Sequence, residues 1–181
     1  MPPLPPSSRP ELARLARRCE VLVWAACVVA LFGPIVVWSQ PDWIGVYVAG
    51  RLGLCDQPFA ITPTVQVVGA LAAMTRGAVL AFGLAGLVPV FRAFRDGALF
   101  SRTTADAVRR LGFALMAIGC LDPLIRIVQR LMLSAAGGAP RIAISIGVND
   151  IAFLTIGIIV LALGTMMREA HRLSEENSSF I

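Results

Sequence analysis

The chain has 181 residues, 57% of them hydrophobic, and a mean hydropathy of +0.77, so it carries more apolar surface than one soluble core of this length could cover. A soluble globular fold is therefore disfavoured, and lipid is the expected solvent for much of the chain. The net charge of +5 rests on sixteen arginines with no lysine, a balance that suits membrane topology before nucleic-acid binding.

The opening MPPLPPSSRP reads as a disordered, polyproline-like tail over residues 1–10, with a single membrane domain over 11–181. Ser8 followed by Glu11 has the spacing of a capping box, so a helix is expected to start there and run into the first span. That span, residues 21–39, has no charge and is long enough to cross a hydrocarbon core of about 30 Å, which needs roughly 20 helical residues. A cleaved signal peptide is the rival reading, with Val37 and Ser39 as the small residues before the cut; the apolar run is longer than the usual h-region. Trp38, Trp43 and Tyr47 fall where amphipathic rings are expected at the outer interface, and Cys55 beyond them is a candidate for an intermolecular disulfide.

The second span, residues 65–91, is interrupted only by Arg76. Gly69, Ala73, Gly77, Ala81 and Ala85 recur every fourth residue along it, a small-residue ribbon that lets another helix approach closely, within the chain or across a homo-oligomer. The loop FRAFRDGALFSRTTADAVRR follows, with a turn signal at Asp96-Gly97 and a cap-like Thr103 and Asp106 before the next helix. Phe94, Arg95 and Phe100 there suit either a docking surface for a cytoplasmic protein or plain interfacial anchoring. The third span, residues 111–133, contains Asp122, Arg126 and Arg130, one helical turn apart, and the fourth, residues 144–167, has Asn149 and Asp150 near its start. None of the four alternates with period two, so helices are expected, in an all-α, four-helix transmembrane bundle.

Arginine placement sets the orientation. With the N-terminus inside, the inner segments hold Arg9, Arg14, Arg17, Arg18, Arg92, Arg95, Arg102, Arg109, Arg110, Arg168 and Arg172, whereas the outer ones hold Arg51 and Arg141. That asymmetry predicts both termini in the cytoplasm. Inside the spans, depth counting puts Arg76 and Asp122 near mid-membrane, with Arg126 and Asp150 further out and Arg130 able to reach the outer interface. Such charges are costly in lipid, so they are expected to face inward and to pair as Arg76 with Asp122 and Arg126 with Asp150. Pro123 removes one backbone donor beside Asp122 and could kink that helix.

No catalytic, cofactor or metal motif stands out. His171 is the one histidine, and HExxH, GxSxG, P-loop and GxGxxG patterns are missing, so an enzyme is not expected. Cys19, Cys27 and Cys120 lie at or in spans, where packing is the ordinary role.

The pattern FRxFRxGxxFS, then RRLG, then a last span entered through an Asp and ending MMREAHRLSEENSSFI, resembles the bacterial domain of unknown function family 2975. Leu173, Glu175, Glu176, Asn177 and Ile181 stand where that family ends in a Leu, an acidic pair, a polar residue and an aliphatic. Ala170 and His171 replace an expected Gly, and Ser178-Ser179 an expected Leu-Thr. The resemblance implies a small four-span protein of the bacterial inner membrane, often encoded beside a helix-turn-helix regulator.

Two functional readings follow. One is a regulatory or sensory membrane protein whose loop (Phe94, Arg95, Phe100) and tail (Leu173, Glu175, Glu176) engage that kind of cytoplasmic partner. The other is a small transporter, channel or immunity-type protein that uses the cluster Arg76, Asp122, Arg126, Arg130 and Asp150.

Overall fold

A computed structural model describes residues 9–54, 59–95, 102–138, 140, 142 and 144–178. Ser8, Cys55, Asp96, Gly97, Phe100, Arg141 and Ile181 lie outside those residues, and so do the expectations that rest on them. The described residues are all-helical, without a strand: α1 (Arg9–Ser39), α2 (Pro41–Trp43), a π-helical turn (Ile44–Val48), α3 (Ala49–Leu52), α4 (Pro63–Ala85), α5 (Val88–Arg95), α6 (Arg102–Ala136) and α7 (Val148–Ser178). Four stretches, Arg14–Ser39, Pro63–Ala93, Arg102–Ala136 and Val148–Leu173, are long and apolar enough to cross a membrane.

Local chemistry sets the helix ends. Pro41 disfavours the helical conformation at Gln40, which is extended (φ −113°, ψ 109°), so α1 stops and a new turn begins. Thr62 caps α4 by accepting from the Val65 N–H at 3.3 Å, with Pro63 supplying the fixed φ of a first turn. The predicted second span continues to residue 91, but α4 ends at Ala85 because Pro89 has no N–H for the Ala85 carbonyl; α5 restarts after the Gly86-Leu87 turn. The fourth helix starts at Val148 rather than 144, since Asp150 reaches back to accept from the Gly147 N–H at 2.7 Å and fixes the first turn there. Pro34 and Pro123 are carried inside α1 and α6, which run on through them.

The long helices pack antiparallel in chain order: α1 on α4, α4 on α6 and α6 on α7, the last pair most extensively. Among the described residues α1 and α7 form no packed pair, so the predicted bundle is an open row rather than a closed ring. Glycines explain the pairing. A Cβ at Gly77 would lie 2.0 Å from the Ala30 carbonyl oxygen, and one at Gly69 would strike the Trp38 ring, so α4 meets α1 along part of the small-residue ribbon. Pro34 cannot donate to Ala30, which leaves that carbonyl turned onto the bare Gly77 Cα. Gly112 and Gly119 of α6 close onto α7 near Leu161 and Leu154, and Gly157 and Gly164 return the contact against Met116 and Arg109.

At the end away from the chain termini, residues 41–54 fold over the row. Ile44, Leu52 and Leu54 pack with Trp38, Val65 and Leu133. Trp38, predicted at the outer interface, is 3% exposed because the Gly69 notch receives its ring; Trp43 and Tyr47 remain exposed, edge to face at 6.0 Å. At the tail end Val23, Cys27, Ala81 and Val88 form a second cluster, and Arg92 on α5 donates through Nε and Nη2 to Glu20 of α1 at 3.1 and 2.9 Å. Large apolar side chains such as Leu22, Phe32, Ile156 and Met166 are exposed on the outer faces of the row.

Candidate functional site

Between α1, α4, α6 and the covering segment lies a cavity of about 430 Å³. Its walls are apolar side chains such as Val29, Pro34 and Ile125, and its polar groups are Arg51, Arg76, Asp122, Arg126 and Gln129. That composition, an apolar cleft with a few convergent polar groups, is the ordinary make-up of a small-molecule site.

Asp122 is at its centre, 2% exposed. The Arg76 Nε lies 3.0 Å from Oδ1, and the Arg76 guanidinium also stacks 5.7 Å from the Phe153 ring centre of α7. Oδ2 is buried without a hydrogen-bond partner, and Arg51 Nη2 lies 3.6 Å from it, beyond hydrogen-bond range. Arg51, on α3, was assigned to an outer loop by sequence; the π-turn and α3 fold it back over the cavity with half its side chain exposed. Loss of surrounding water, then the positive charge of Arg76, lower the Arg51 guanidinium from its ordinary value, against the pull of Asp122.

The other charged pair does different work. Arg126 donates from Nη1 to Asp150 Oδ1 at 3.0 Å, from Nη2 to Asp150 Oδ2, and from Nη2 to the Ser145 carbonyl at 2.9 Å. Asp150, 1% exposed, holds the Gly147 N–H as well, so one bidentate clamp fixes α6 to the start of α7. Arg130 does not line the cavity: its Nε donates to the Leu52 carbonyl at 2.8 Å, and Nη2 to the same oxygen. It thereby caps α3 where Gly53 turns away at φ +67°. Gln129, unremarked in the sequence, donates to the Gly69 carbonyl at 3.3 Å and ties α6 to α4.

The structure thus brings Arg76 to Asp122 and Arg126 to Asp150, and sets Arg130 apart from both. Of the ribbon, Gly69 and Gly77 meet α1 directly, Ala73 packs against the upper apolar cluster, and Ala81 and Ala85 join the lower one. Sequence reasoning missed Arg51, Gln129 and the reciprocal glycines of α6 and α7. The seven-residue repeats Gly112/Gly119 and Gly157/Gly164 were a usable signal for the last of these. The docking residues Phe94, Arg95 and Glu175 lie on helices, with their side chains outside the description; Leu173 is exposed and Glu176 lies 3.6 Å from Arg172. Among the described residues no group of three or more His, Cys, Asp or Glu gathers to hold a metal.

An all-helical chain with four membrane-length apolar helices and a charged seam between them defines the class. Residues 19–181 match the family described as "Protein of unknown function (DUF2975)", and the chain belongs to that family. No curated protein and no solved structure matches it.

Proposed function

We propose that this is a regulatory or sensory protein of the bacterial inner membrane, with both termini in the cytoplasm. A small ligand bearing an anionic group enters the cavity from outside, and the cytoplasmic loop and tail engage a soluble partner, of which a helix-turn-helix regulator is one kind. Orientation rests on the arginine asymmetry, and embedding on the four apolar helices.

One observation supports the sensory reading above the others: Asp122, whose buried Oδ2 has no hydrogen-bond partner, lines the cavity together with two arginines. Arg51 and Arg76 suit an anion, and Asp122 Oδ2 accepts from a donor on the same ligand. The transport alternative needs a path through to the tail end. There α4 and α6 close at Gly83 against Ala114, and α1 and α4 close at Cys27 and Ala81, which favours a one-sided pocket.

The test is cross-linking and pull-down from native membranes with the full chain and with a chain truncated before Leu173. Loss of the co-purifying protein with membrane insertion intact agrees with the proposal; an unchanged pull-down sinks it. Flux through reconstituted protein that stops with Asp122→Asn would instead establish the transporter.

A further inference from the structure

A second cavity, of about 320 Å³, opens at the tail end between the first turns of α6 and the last turns of α7. Arg102, Arg109, Arg168 and Arg172 line it, with Thr165, His171 and a single acid, Glu169. Arg172 holds that acid at 2.6 Å, so the pocket keeps a surplus of positive charge. Among the described residues Arg102 and Arg168 have no acidic partner within 4.0 Å, and both are exposed.

Arg109 separates this pocket from an ordinary scatter of surface charge. Its side chain crosses the bare face of Gly164, where a Cβ would lie 2.6 Å from the Arg109 Cγ and 2.9 Å from its backbone nitrogen. The helices therefore grip the stem. The Nε is buried without a hydrogen-bond partner, and Nη1 is 3.7 Å from Asp106, too far to hydrogen bond. A guanidinium with donors unsatisfied, held between two helices and ringed by further arginines, is built for an oxyanion.

We infer that this pocket binds a phosphate group, and that its source is the headgroup of an anionic phospholipid. The inference rests on the membrane reading of the chain. The pocket lies at the junction of the apolar stretches of α6 and α7 with their arginine-rich ends, which is headgroup depth. Phe113, four residues from Arg109, and Ile158, seven before Thr165, continue the same helix faces toward the apolar middle; they are 53% and 55% exposed. An acyl chain below the phosphate has that apolar strip to lie on, whereas a free phosphate has no use for it.

The full chain must first stay with membranes through a carbonate wash; release there overturns the membrane reading and is a separate result. Detergent-purified protein is then melted with added phosphatidylglycerol, phosphatidylcholine or inorganic phosphate. Phosphatidylglycerol should raise the melting temperature and phosphatidylcholine should not. Arg109→Gln and Arg168→Gln should each raise the half-saturating lipid concentration roughly tenfold, the loss of one charge-assisted contact. Arg17→Gln, which removes the same charge from α1, should stay within about twofold on the same scale. Inorganic phosphate that protects and competes as well as the lipid would keep the site and make free phosphate its source. No protection by either phosphate source, equal protection by phosphatidylcholine, or an equal loss in Arg17→Gln overturns the inference. Should Arg109→Gln fail to fold, the exposed Arg168 carries the test, and wild-type affinity in Arg168→Gln overturns it.

Discussion

Arg76 Nε meets Asp122 at Oδ1, 3.0 Å away, while Oδ2 stays buried without a hydrogen-bond partner, with Arg51 Nη2 at 3.6 Å. A pair that only locks two helices together gains most from a two-pronged grip, as Arg126 has on Asp150. The geometry at Asp122 holds α4 to α6 and keeps one buried acceptor unused.

Neutralising Asp122 separates those two tasks. Asp122→Asn leaves Arg76 without its counter-ion and should lower stability by about 3 kcal/mol, the low end for a broken buried pair because Arg76 is 31% exposed. The double change Arg76→Met with Asp122→Leu should recover most of that loss. Denaturant titration in detergent measures both, and a double variant no more stable than Asp122→Asn would contradict the pairing.

Arg126 and Arg51 should differ sharply. Arg126→Gln strands Asp150, which is 1% exposed, and should cost about 3–5 kcal/mol. Arg51→Gln alters a half-exposed side chain and should cost under about 1 kcal/mol. Equal losses in thermal unfolding would contradict the division between clamp and cavity.

Glycine substitutions test the packing. Gly157→Ala puts a Cβ 2.7 Å from the Met116 backbone nitrogen and should cost about 1–3 kcal/mol. Gly45→Ala, with nothing within 4 Å of the new carbon, should be neutral or stabilise by up to about 1 kcal/mol. Melting temperatures of the two variants, measured in the same detergent, decide the point.

Arg130 serves the covering segment. Arg130→Met removes the donor that caps α3 at Leu52 and should free residues 41–54, seen as faster limited proteolysis there with the α6–α7 pair still protected. A digestion pattern identical to wild type would mean that Gly53 and the apolar cluster hold the segment alone.

Helix positions and the level of each charge along its own helix were legible in the sequence because both follow from counting along single helices. Arg76 opposite Asp122 and Arg126 opposite Asp150 follow from antiparallel neighbours of known length. What escaped was whatever depends on the chain folding back. Arg51 reaches Asp122 only because a π-turn and one turn of helix bend residues 41–54 over the row, and no local periodicity announces that. Arg130 reads as a charge that reaches the outer interface, yet the carbonyl it caps belongs to that same segment. Trp38 reads as an interfacial ring until the Gly69 notch is placed against it. The break between α4 and α5 and the first turn of α7 escape for a simpler reason, since hydropathy continues smoothly past Pro89 and before Gly147 while backbone donors do not.

The Ala30 carbonyl, turned out by Pro34 and seated on Gly77, acts as a detent between α1 and α4. Sliding α1 by one turn in either direction would drive that oxygen into Ala73 or Ala81, each with a methyl where Gly77 has none. Trp38, further along α1 and seated in the Gly69 notch, is a second stop of the same kind. The two notches together fix the register of α1 against α4, as two pins hold a bar where one would let it swing.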